Sequence, residues 1–223
     1  MENEQIIKWN INESKIRIKD CIKADHLIIF FTRISEDLKS HGSPNFYGRI
    51  KEIFLLIYPY SKIYKTKEIF EEMMVADLIS KEGLKLSPAE INYIKIFLSR
   101  LDRNCKLKDQ KFAAEIDETL KKLTDKYTPN TSKKLESYLI GKLISSVGGI
   151  KNLSRMPSST IQLIGAEKAL FRHIARGNPS AKHGLIYYSK WVRSAKEKGK
   201  AARKLANGIA ISIKQDYFQN FVR

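Results

Sequence analysis

Two stretches of this chain place basic and apolar residues on opposite sides of a helical turn. The first is residues 165–184, GAEKALFRHIARGNPSAKHG. A helix start is available at Gly165, with Glu167 in the first turn where a carboxylate suits the helix dipole, and Gly177 supplies the stop. Upstream, Ser158, Ser159 and Thr160 follow Pro157, a second helix-entry signal. With Lys168 at zero and ~100° per residue, Arg172 falls near ~40°, Arg176 near ~80° and His173 near ~140°. Leu170, Phe171 and Ile174 fall between roughly 200° and 300°. The pattern therefore predicts an apolar face docked on a core and a basic face turned outward. The second stretch is 196–217. With Lys200 at zero, Lys204 lies near ~40°, Arg203 near ~300° and Lys214 near ~320°, while Leu205, Ile209, Ile213, Ala202 and Ala206 fill roughly 140° to 240°. Ile211 intrudes on the basic side, so that surface is suited to meeting protein as well.

The rest of the chain also reads as helical, at 24–40, 47–57, 66–81, 88–104, 109–126 and 133–147, beside 166–176 and 196–217. Gly83, Pro129, Gly148 with Gly149, Pro157, Pro179 and Gly184 mark breaks. Strand signals are weak, and 185–188 is the best extended piece. The fold class expected is all-α: a helical hairpin or coiled-coil region followed by a compact helical domain. Ile91, Ile94, Leu98, Leu101 and Cys105 form a seam at steps of three and four. Phe112, Ile116, Leu120, Leu123 and Tyr127 continue it after a slip at 107–111 that acts as a stutter or break. Ser87 with Glu90 forms a capping box at the seam's start. The seam serves either self-association or an internal bundle core, the commoner use. Thr128, Pro129, Asn130, Thr131 and Ser132 cluster at the expected division between 1–127 and 128–223.

Charge changes the picture most. The chain carries 41 Lys and Arg against 24 Asp and Glu, a net +17. Residues 130–223 hold 18 of those cations and 4 of the acids, a balance of +14, so the first 129 residues are close to neutral. For one helix alone, a solvated charged face is the ordinary explanation. Two basic helices in one acid-poor segment point instead to a polyanionic partner. RNA or DNA fits better than a membrane surface, because no long Lys-rich helix sets Trp or Phe opposite its charge. The longest apolar runs, 27–31 and 53–58, are far shorter than a membrane span. The opening MENEQIIKWN has no signal-peptide pattern. Cys21 and Cys105 form neither a disulfide framework nor a metal-spaced pair, and a reducing, intracellular setting is inferred.

Catalytic patterns are missing. There is no phosphate loop, dinucleotide fingerprint or HExxH. His26, His41, His173 and His183 have no cysteine or carboxylate at metal-ligand spacing. Asp216 has no evident partner. No catalytic residue, metal or cofactor is expected. The candidate binding residues are Gly165, Glu167, Lys168, Arg172, His173 and Arg176, then Lys182, His183 and Gly184, then Lys200, Arg203 and Lys204. Gly184 suits a close backbone approach to phosphate or another chain. His183, Tyr187 and Tyr188 are placed to stack on an unpaired base, the usual mode for single-stranded RNA. Alternation into the core would bury one of the two tyrosines and leaves the other open.

These residues resemble a known family. The run 149–184, with SRMPSSTIQLIGAEKALFRHI and KHGLIYYS, closely resembles the Nop domain, and KGKAARKLANGIAISIKQDYF resembles that domain's closing helix. The match covers about residues 127 to 218. Upstream, KADHLIIFFTRISEDL and IKEIFLLIYPYSK look like the lead into the family's coiled coil, and LSPAEINYIKIFLSRLD like its returning arm. The pattern is similar to archaeal box C/D guide-RNP scaffold proteins; eukaryotic nucleolar scaffolds and a spliceosomal factor share the domain. The resemblance implies a non-catalytic scaffold. It would bind a box C/D-type kink-turn RNA already held by a small ribosomal-protein-like partner, in guided 2′-O-methylation or RNA processing. It places Gly165, Ala166, Glu167, Lys168, Ala169, Leu170, Phe171 and Arg172 at that protein–RNA interface, with Leu170 and Phe171 structural by the angle argument.

About twenty-five residues precede the matched segment. The N-terminal fibrillarin-binding domain of full-length scaffolds is therefore expected to be absent, and a fibrillarin-type methyltransferase recruited indirectly if at all. The coiled coil's first arm is short, which bears on self-association. After KHG the family often has a His-Pro pair, where Ser189 and Lys190 stand here, so that loop's contacts are expected to differ. An archaeal cytoplasm, or a nucleus in a eukaryote, is the implied location. The alternative reading is a protein–protein adaptor derived from such a scaffold that no longer recruits a methyltransferase.

Overall fold

The computed structural model describes residues 24–39 and 110–221, with isolated helical positions at 5–7, 9–10, 13–14, 48–49, 52, 89 and 92–94. The chain divides into two units, Met1–His26 with Glu36–Ala113, and Leu27–Ser35 with Ala114–Arg223. In the first unit Arg49 donates to Asp37 at 3.1 Å and to Glu52 at 2.9 Å, and Ile94 is buried. The expected helix at 66–81, and most of the expected helix at 88–104 with most of the 91–105 seam, lie outside the described residues.

The described helices are α1 (Ala24–Lys39), α2 (Gln110–Tyr127), α3 (Pro129–Ser132), α4 (Ser137–Val147), α5 (Ile150–Arg155), α6 (Ser158–Leu163), α7 (Glu167–Arg176), α8 (Lys190–Ser194) and α9 (Lys198–Phe221), with a 3-10 turn at Leu185–Tyr188 between α7 and α8. Every regular element among the described residues is helical, as the periodicity requires. Two local expectations are corrected. The helix expected over 133–147 begins four residues later, at Ser137, because 133–136 connect it to the separate short helix α3 that ends at Ser132. Residues 185–188 are not extended but form the 3-10 turn, which buries Ile186, half-buries Tyr187 and leaves Tyr188 exposed.

The second unit is built around α9. Ala202, Ala206, Ile209 and Ile213 are fully buried and Leu205 nearly so, the face its spacing selects. Helices α3, α5, α6 and α8 and the 3-10 turn all pack on α9. Gly141 lets α1 and α4 touch, because a Cβ there would overlap the buried hydroxyl of Thr32.

Asp216 lies on the same α9 face as Ile209 and Ile213 and is fully buried. Its carboxylate accepts from the Asn130 amide N at 2.9 Å, Asn130 Nδ2 at 2.9 Å, the Thr131 amide N at 2.9 Å and Thr131 Oγ1 at 2.7 Å. The four donors replace the water lost on burial. The Thr-Pro-Asn-Thr-Ser cluster at the expected division thus includes a short helix tied to α9, and it supplies the partner that the sequence did not reveal for Asp216.

Candidate nucleic-acid interface

Residues 165–183 form an excursion in which no residue is buried. It leaves the body at Gly165, whose φ of +85° is in the left-handed region that favours glycine. Glu167 Oε1 accepts from the Gly165 amide at 2.7 Å, so the first-turn carboxylate also fixes the elbow. Helix α7 ends at Gly177, φ +66°, whose amide donates to the His173 carbonyl at 2.9 Å. His173 Nδ1 meets the Asn178 carbonyl and folds the chain back.

The excursion closes at its base. The Gly184 amide donates to the Gln162 carbonyl at 2.8 Å and the Leu185 amide to the Ile164 carbonyl at 2.7 Å. Gln162 Nε2 donates to the Lys182 carbonyl at 2.6 Å. A Cβ on Gly184 would overlap the Ile164 carbonyl, and one on Gly165 would lie 2.6 Å from Leu185 Cγ. The close approach foreseen for Gly184 is therefore made to its own chain. Gln162, which the sequence analysis did not single out, is central to this closure; an uncharged amide in a short helix carries no periodic signal. A cleft of about 260 Å³ opens at the elbow, lined by Ser159, Thr160, Leu163, Ile164, Glu167 and Leu170.

The docking face expected for α7 is corrected. Phe171 is 67% exposed and Ile174 71%; Leu170 is half-buried. The periodicity correctly separates an apolar from a basic side, but both reach solvent because α7 stands away from the α9 core. Lys168, Arg172 and Arg176 are exposed beside that apolar pair, and Arg172 Nε donates to the Lys168 carbonyl at 3.3 Å. Glu167 is exposed and His173 half-buried.

The second basic surface stands on α9, where Lys200, Arg203 and Lys204 are exposed opposite the buried apolar face. Lys200 pairs with Glu197 at 3.2 Å. Residues 182–187 touch both surfaces: Gly184 and Leu185 hold the elbow of α7, while the Lys182 side chain lies beside Gly199 of α9, where an added Cβ would be 3.5 Å from Lys182 Cβ. His183 stacks on Tyr187 with ring centroids 4.4 Å apart. Lys198 Nζ lies 3.4 Å from the Tyr187 hydroxyl and over its ring. His183 and Tyr187 were both expected to meet a base; here each ring has one face on the other. The long, flexible cations of α7 and α9 give two electropositive surfaces suited to phosphate contacts. Among the described residues no cluster of metal-ligating side chains occurs and no helix is long and apolar enough to cross a membrane.

The family model described as "Nop: snoRNA binding domain, fibrillarin" matches residues 50–222. The chain belongs to the Nop family. Nop domains are RNA-binding ribonucleoprotein scaffolds rather than enzymes. The chain is 33% identical over 174 residues to an uncharacterised NOP5 family protein of Methanocaldococcus jannaschii, covering 73% of this chain and 41% of that one. It is 36% identical to nucleolar protein 58 of Dictyostelium discoideum, covering 67% of this chain and 23% of the relative. Against nucleolar protein 56 of Caenorhabditis elegans, identity is 33% over 61% of this chain and 27% of the relative. The chain thus spans less than half the length of these relatives. A solved structure of a fibrillarin/Nop5p complex is similar with a TM-score of 0.46 at 19% identity, over 97% of this chain and 71% of that one.

Proposed function

We propose that residues 128–223 hold a box C/D-type kink-turn RNA together with the small ribosomal-protein-like protein already bound to it. The observation that carries this reading is the dual exposure of α7, with cations and an apolar pair on one unburied helix. Phosphate contacts alone need no exposed Phe171 and Ile174, and a purely protein partner needs no Lys168, Arg172 and Arg176. A composite of RNA and protein uses both. In this reading Lys168, Arg172, Arg176, Lys200, Arg203 and Lys204 meet phosphates, and Phe171 and Ile174 meet the protein half. The chain acts without catalysis of its own, in guided methylation or RNA processing.

Gel shifts with a box C/D kink-turn RNA, with and without its primary protein, test the proposal. Strong binding is expected only with that protein present and should fall steeply with salt. Equal binding to bare RNA would overturn the composite surface. Arg172→Ala should weaken the ternary complex by about 1–3 kcal/mol, the cost of a lost charged hydrogen bond.

One feature favours an adaptor as the second reading: Ile211 and Phe218, seven residues apart on the solvent side of α9, are 59% and 61% exposed. Partner capture that survives nuclease treatment and is lost with Ile211→Ser would support it.

A further inference from the structure

The segment from Tyr188 to Arg193 contains Ser189 and Lys190, where the family resemblance led to the expectation of a His-Pro pair. Ile186, Ser189 and Val192 are buried, at 0%, 1% and 0% exposure. The Ser189 hydroxyl caps α8 by accepting from the Val192 amide at 3.2 Å, and the Lys190 amide donates to Glu136 Oε1 at 3.0 Å. Three anchors at a spacing of three thus fix the backbone. Between them two large aromatic rings are held in solvent: Tyr188 is 63% exposed and Trp191 44%. Tyr188 meets Tyr187 in a T-shaped contact with centroids 5.8 Å apart, and most of its surface stays in solvent, within reach of a flat ligand.

The surroundings select the ligand. Residues 182–204 contain eight Lys and Arg and a single acid, Glu197, which already pairs with Lys200. Lys190, Arg193, Lys196 and Lys198, in the same stretch of chain as the two rings, are exposed. A pinned aromatic pair inside a field of cations matches the way proteins bind single-stranded nucleic acid, with phosphates on the cations and bases on the rings. A cationic patch alone would serve a duplex equally well; the exposed rings favour unpaired bases.

We propose that Tyr188 and Trp191 form a stacking platform for unpaired nucleotides of the RNA bound by this chain. The platform rests on the RNA-binding reading but is separate from the α7 surface. His183 and Tyr187 buttress it and are not its stacking faces.

Tryptophan fluorescence of the full chain carrying Trp9→Phe tests this, since Trp191 is then the only tryptophan. The probes are a ten-nucleotide single-stranded RNA, a duplex of the same length, and a ten-unit abasic phosphodiester. Single-stranded RNA is expected to quench Trp191 and to bind about tenfold more tightly than the abasic strand. Trp191→Ala should remove that advantage, Trp191→Phe should retain most of it, and Tyr188→Ala should reduce it severalfold, all with unchanged thermal unfolding. Equal affinity for the single-stranded and abasic probes would overturn the platform, as would equal quenching by the duplex. Quenching only on adding the kink-turn protein would assign the rings to a protein contact and also overturn it. Combined Lys200→Ala, Arg203→Ala and Lys204→Ala substitution separates the two readings. It should weaken base-bearing and abasic probes alike; failure of every probe to bind the chain alone would overturn the platform, whereas the RNA reading stands or falls on the gel shift with the kink-turn RNA and its primary protein.

Discussion

Helices α7 and α9 carry the same signature in sequence, a basic stripe beside an apolar one, and the structure uses it in opposite ways. On α9 the apolar side is sealed beneath five other elements, and the cations are what solvent sees. On α7 the apolar side is open and the helix buries no residue. One helix holds the unit together; the other is held out by it, through two glycines and a short run of hydrogen bonds at residues 162–165 and 182–185. Amphipathicity fixes which residues share a face but not whether that face meets the protein's own core or another molecule.

The sharpest way to break the comparison is to make equal cuts on both helices. Ile209→Ala on α9 removes a fully buried side chain and should cost about 2–5 kcal/mol by denaturant unfolding. Asp216→Ala should cost about 3 kcal/mol, since two backbone amides lose a charged acceptor. Gly184→Ala should cost about 1–3 kcal/mol, because its Cβ meets backbone that cannot move aside freely, and it should raise hydrogen exchange at the Gly184 and Leu185 amides. Ile174→Ala on α7, the same substitution as on α9, should change stability by no more than about 0.5 kcal/mol. A loss at Ile174 comparable to that at Ile209 would show that α7 belongs to the core after all.

Much of this fold is legible in the sequence because long apolar stripes set it. The bounds of α1, α2 and α7 match the expected ones to within one residue, α9 begins two residues later and runs four residues further than expected, and the buried set on α9 is the one its angles select. The short helices α3, α5 and α8 are too brief for a period to show, and their positions come from packing on α9. Asp216 did leave a signal: a carboxylate in step with Ile209 and Ile213 requires buried donors. The basic candidates on α7 and α9 are all exposed, as charge counting expects. What charge counting missed is the base of the excursion, where Gln162 and Gly184 act through backbone hydrogen bonds. The exposure of Phe171 and Ile174 could not be read from angles, because it depends on how far α7 stands from the core.

The central claim is that α7 offers its apolar pair to a partner while its cations meet RNA. Its most direct test is a gel shift of the Phe171→Ala, Ile174→Ala double variant on kink-turn RNA carrying its primary protein, with thermal unfolding as the control. Ternary affinity should be at least about tenfold weaker, as for loss of an interface anchor, at an unchanged unfolding midpoint. Full affinity together with a lowered midpoint would contradict it, by assigning Phe171 and Ile174 to the fold.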